Sequence, residues 1–230
     1  MRGLLFLILF GLCMPVHGRD DPDPFPLLSS ARADDLWHRP ERATVEELYS
    51  ASLTTGKTKD WERAVFFLWC AQVRLQFERA IFPPKEKGGN SPTLSLLGIG
   101  QMLGQAFVPM LYASPESHRR LITRFKTYTP DFERNYRPSW PCDLGIAKAD
   151  AQVQAKKMVT ALSDSSARIL ELTAIPEYLK NLKIYADNSD QGPDRPGRFR
   201  TANETMWRIE EEKKIKSGLA YQPIRPAKTP

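Results

Sequence analysis

Ala64-Val65-Phe66-Phe67-Leu68-Trp69-Cys70-Ala71 is the stretch on which the fold turns. It is apolar at every position, so it has no polar face to show to water. A helix that is apolar all round belongs in the middle of a bundle. Asp60 stands before the stretch as an N-cap, and Pro83-Pro84 stops it. This predicts a long central helix over 60–82. Arg74, Glu78 and Arg79 bring polarity back towards its end, and Glu78 follows Arg74 by four residues, a spacing that lets the two side chains meet on one face.

Helical signals continue on both sides. Upstream, Thr44 and Glu47 match the S/T-x-x-E capping box, and that helix ends at Gly56. Downstream, Ser91-Pro92 opens a helix whose Gly100 and Gly104 predict close packing, and Pro109 kinks or ends it. Ser114-Pro115-Glu116 opens the next, with Leu121, Ile122, Phe125 and Tyr128 on one face and Pro130 as its stop. Further helices are expected over 143–162, 163–174, 176–185 and 201–216, the last carrying the pairs Glu210/Lys214 and Glu212/Lys216. No alternating run is long enough for a strand, and no repeat is present. The expected fold class is therefore all-α: a single-domain helical bundle of about six to eight helices spanning 44–216. A proline-rich arm precedes it at 19–43, docked by Leu27, Leu28, Leu36 and Trp37, and a proline-rich tail follows at 217–230.

Composition agrees with that class. The chain has 230 residues, 41% hydrophobic and 26% charged, the balance of a soluble globular protein. Its 10% aromatic content excludes disorder along the whole length. Three cysteines are too few for a disulfide-framework mini-protein, and three histidines leave little room for a histidine-rich metal centre.

The N-terminus reads MRGLLFLILFGLCMPVHG, with Arg2 as a cationic start, an apolar run from Gly3 to Met14, and small or branched residues before position 19. This is the pattern of a cleavable signal peptide over 1–18, too short for a span that needs about 20 apolar residues. The expected address is the periplasm, with no transmembrane anchor. Without Arg2 the net charge of +6 becomes +5, which outside the cytoplasm suggests an anionic protein, the cell wall or a membrane surface rather than nucleic acid. Export also favours a Cys70–Cys142 disulfide over two buried thiols. Such a bridge closes a loop of about 70 residues and contributes roughly 4 kcal/mol.

No enzyme motif is found. H-E-x-x-H, C-x-x-C and G-x-S-x-G are absent, and Gly88-Gly89 lacks the lysine and hydroxyl of a phosphate-binding loop. His118, beside Arg119 and Arg120, reads as a solvated surface residue. The paired carboxylates Asp34-Asp35 and Glu46-Glu47 suit the arm and a helix N-terminus. No catalytic residue, metal ligand or cofactor is expected. Two loops are better candidates for recognition. Residues 130–142 (PDFERNYRPSWPC) combine Arg134, Tyr136, Arg137 and Trp140, residue types that dominate binding hot spots, although Trp140 also suits pinning the loop to the core. Asp187, Asp190 and Asp194 lie in a polar loop over 187–200 and could reach a basic or metal-bearing cleft on a partner.

The stretch GKTKDWERAVFFLWCAQVRLQFERAIF at 56–82 carries a glycine-lysine turn and then A-x-F-x-x-x-x-A-x-x-R, at Ala64, Phe66, Ala71 (after Cys70) and Arg74. A helix with L-x-x-L-G at Leu94 to Gly98 and G-x-x-x-G at Gly100 to Gly104 follows. Over about residues 45–130 this resembles the small exported immunity proteins encoded beside type VI secretion effectors. The resemblance implies a periplasmic protein, monomeric when free, that binds and occludes a cognate toxin: a zinc-metallopeptidase-like domain whose metal an Asp187–Asp194 carboxylate would meet, or else a lipase or cell-wall amidase effector. It carries over no catalytic residue. The alternative expectation is a non-catalytic adaptor or assembly factor of an envelope complex.

Overall fold

A computed structural model describes residues 26–86, 91–187 and 194–220. The expected signal peptide, the start of the arm, Gly88-Gly89, Asp190 and the tail beyond Ala220 lie outside the described residues. Eight α-helices form there and no strand, an all-α bundle as expected.

Its axis is α3 (Trp61–Ile81), capped by the Asp60 carboxylate accepting from the Arg63 N–H. Every residue from Ala64 to Ala71 is buried. Around α3 pack α2 (Val45–Lys57), α4 (Pro92–Tyr112), α5 (Pro115–Phe125) and α6 (Lys148–Thr173). The pair α7 (Pro176–Ala186) and α8 (Arg195–Lys213) closes one flank against α4 and α6. The capping box on α2 is formed: Thr44 Oγ1 accepts from the Glu47 N–H at 3.1 Å, and Glu47 accepts from the Thr44 N–H at 3.0 Å. Two donors that the helix start leaves unpaired are satisfied in this way.

Helix packing explains Gly100. A Cβ there would lie 2.6 Å from the Tyr49 hydroxyl on α2. Gly100→Ala is therefore expected to lose about 1–3 kcal/mol through overpacking, against the usual preference for alanine in a helix. Urea unfolding checks this.

Several boundaries differ from the sequence expectation. Part of the arm is helical: α1 (Ser30–His38) starts from a Ser29 cap and buries Ala33 and Leu36. The Trp37 ring lies edge-on to Phe66 at 4.9 Å and under the Arg124 guanidinium at 3.8 Å. A 3₁₀ turn, Pro40–Arg42, follows. α4 continues past Pro109 to Tyr112, because the proline frees only the carbonyl of the exposed Gln105. α6 is one helix rather than two, since Ser163 and Ser166 are buried within it rather than opening a turn. α8 begins at Arg195, so residues 195–200 of the expected 187–200 loop are helix.

His118 is fully buried rather than solvated. Its ring packs at a tilt against Tyr112, with centroids 4.5 Å apart, and shares a hydrogen bond through Nε2 with Ser166 on α6. The cysteines are also corrected. Both are free thiols; Cys70 is buried in α3, whereas Cys142 is half-buried and bridged to Pro84 beyond the end of that helix. The eleven residues from Cys70 to Ile81 rise about 16 Å, well beyond the ~7 Å that a disulfide tolerates between Cα atoms.

Candidate functional site

The loop 130–142 is irregular along its length but tied down from below by a buried ion pair. Arg74 and Glu78, both 0% exposed, sit four residues apart on α3 and join through Nε and a carboxylate oxygen. Arg74 also donates to two backbone carbonyls, that of Glu41 at 3.1 Å and that of Asp131. One guanidinium thus fastens the 3₁₀ turn, the central helix and the loop. The Tyr136 hydroxyl donates to Glu78 Oε1 at 2.8 Å. Aromatic rings enclose the pair, with the Arg74 guanidinium 5.8 Å from Phe77, 5.5 Å from Phe132 and 5.1 Å from Tyr136.

The remaining loop contacts point the same way. Phe132 stacks on Tyr136 at 5.1 Å and leans on Phe82 at 5.6 Å. The Trp140 indole N–H donates to the Phe82 carbonyl at 3.0 Å, and its ring is 3% exposed. The Asp131 N–H donates to the Glu41 carbonyl at 2.8 Å. Lys148, at the start of α6, pairs with the Asp131 carboxylate and donates to the Phe132 carbonyl at 2.9 Å.

Burial raises the Glu78 carboxyl above its usual range, against the pull of Arg74 and of the Tyr136 hydroxyl. Burial likewise pushes the Tyr136 hydroxyl up, and the neighbouring Glu78 charge adds to this. The bond from Lys148 holds Asp131 below the usual carboxylate range. Arg74 Nη2 and Glu78 Oε2 are buried without a hydrogen-bond partner among the described residues. A pair left partly unsatisfied in this way fixes geometry at some cost in stability.

The sequence candidates therefore divide. Tyr136 and Trp140 face inward and hold the loop. Arg134 and Arg137 are exposed on its outer surface, beside Asn135. Neither arginine has an ion-pair partner among the described residues; Arg137 donates to the Tyr136 carbonyl at 2.8 Å. A shallow pocket of about 290 Å³ lies at Asn135, lined also by Arg42, Thr44, Phe132, Glu133 and Tyr136. Arg74 and Glu78, which organise the site, carry only one sequence signal, their spacing of four.

The acidic candidates lie at the α7–α8 junction. Asp187 is exposed at the C-cap of α7, and Asp194 is exposed at the N-cap of α8; Asp190 is outside the described residues. Asp194 borders a pocket of about 660 Å³ shared with Glu177, Lys180, Asn181 and Arg198. Mixed charge lines it. Among the described residues, no three His, Cys, Asp or Glu side chains gather closely enough to hold a metal ion. What the loop 130–142 offers chemically is recognition: guanidinium and amide donors on a base that does not have to be ordered on binding.

No protein-family model matches this chain, and neither a curated protein nor a solved structure matches it.

Proposed function

We propose that this protein is a periplasmic immunity protein, which binds the active cleft of a cognate type VI secretion toxin and occludes it with the loop 130–142. A zinc-metallopeptidase-like toxin remains the preferred target class, from the resemblance. What carries the proposal is the two-sided construction of the loop. Its inward residues are fastened to α3, and its outward arginines have no ion-pair partner among the described residues. Pre-ordering of this kind lowers the entropic cost of association, and exposed Arg beside aromatic side chains is a common composition for a hot spot.

The test is capture of a toxin from a lysate of the protein's own organism by the tagged protein, together with neutralisation in cells that export the captured toxin. The double substitution Arg134→Glu/Arg137→Glu is expected to abolish protection and capture while the thermal midpoint stays within about 2 °C, as for most surface changes. Trp140→Ala makes a contrast, because it removes a buried ring and lowers the midpoint itself. Full protection by the double variant would remove the loop from the interface. Recovery of envelope machinery in place of a toxin would favour the adaptor.

A further inference from the structure

α4 has no charged residue, and none occurs from Ser91 to Pro115. Much of this helix is nonetheless at the surface. Leu94 is 42% exposed and Met102 59%, and Ser95, Gly98, Gln105 and Ala106 are exposed with them. Ser95, Gly98, Met102 and Gln105 follow the 3-4-3 spacing of a seam between paired helices. A Cβ at Gly98 would meet nothing, so a notch is open there one turn from the protruding Met102.

We propose that two copies of this chain pair through α4, antiparallel, with Met102 of each copy seated in the Gly98 notch of the other. The stripe complements itself about position 100. Met102 comes opposite Gly98, Leu94 opposite Ala106, and Ser95 opposite Gln105, so large meets small and hydroxyl meets amide. A two-fold interface needs this property, in which residue i meets j and j meets i; a foreign partner gives no reason for it. Charge selects the same occupant. Copies that each carry +6 repel one another, and a charge-free face is where they can approach. The 21 residues of α4 run about 31 Å, and a seam one helix wide buries less than the ~800 Å² per partner of a standard stable interface. The association is accordingly reversible, with a dissociation constant in the micromolar range or weaker. It replaces the free monomer expected from the sequence, and it is independent of the toxin reading.

Sedimentation velocity on the purified full chain, from about 1 to 500 μM, reads the equilibrium directly. The expected result is a concentration-dependent monomer–dimer equilibrium. Met102→Lys places a charge over the notch, and Gly98→Leu fills the notch from within. Each is expected to raise the dissociation constant at least about tenfold, with the helical circular dichroism unchanged because neither side chain is in the core. A monomer at every concentration overturns the proposal. So does a dimer whose affinity neither substitution moves.

Discussion

Arg74→Met is expected to cost the fold about 3–5 kcal/mol, the range for removing one partner of a buried ion pair. The substitution keeps much of the side-chain volume but leaves the Glu78 carboxylate, 0% exposed, without its cation. It also removes the donor to the carbonyls of Glu41 and Asp131. The double variant Arg74→Met/Glu78→Met is expected to recover most of the loss, because no buried charge remains. A residue of about 1–3 kcal/mol stays, since the Tyr136 hydroxyl and the two carbonyls lose their partners. Urea unfolding of wild type, both singles and the double at pH 7 measures the coupling. A double variant as unstable as the sum of the singles would show that the two residues act independently and that the loop is held by its aromatic packing alone.

How much of this was legible in the sequence follows from what kind of signal each feature leaves. The central helix shows because Ala64 to Ala71 has no polar position, and its partners show through caps such as Thr44 and Asp60, which are local chemistry. The loop at 130–142 is recognisable by composition. Its fastening is not, because the groups that Arg74 reaches lie 33 and 57 positions away. Spacing reveals that Arg74 and Glu78 share a face and says nothing about the depth of that face. The disulfide expectation failed for a related reason: compartment and an even count do not place two Cα atoms within reach. His118 is a different case. Its two neighbouring arginines suggested solvent, yet 118, 121, 122 and 125 follow the i, i+3, i+4, i+7 stripe that buries Leu121, Ile122 and Phe125. The periodicity carried the answer, and local polarity outvoted it. The helix α1 was hidden in the same way by the prolines that precede its Ser29 cap.

That buried histidine leads to the second large effect. Lowering the pH from 7 to 4 is expected to remove about 3 kcal/mol of stability through His118 alone. Burial, and to a lesser extent the adjacent Arg119 charge, push its pKa from 6.5 down to about 4. In the unfolded chain the imidazole takes up a proton below about 6.5, whereas the folded protein resists that proton until about 4. Over this window the unfolded state binds more protons, so stability falls as the pH falls, and below about 4 the contribution changes no further. Glu78 acts with the opposite sign, since burial raises its carboxyl, and the Asp131 contribution is lost only below 3.8, the ordinary value of an aspartate side chain. Both groups are common to wild type and to His118→Phe, so they cancel when the two proteins are compared. The phenylalanine ring keeps the packing on Tyr112 and gives up the Ser166 hydrogen bond, which lowers stability at pH 7 by about 1 kcal/mol. The two stability curves should therefore cross as the pH falls from 6.5 to 4, with the variant the more stable at the acid end. Parallel curves across that window would mean that the folded protein protonates His118 as readily as the unfolded chain does, and that the pocket formed by Tyr112 and Ser166 admits water.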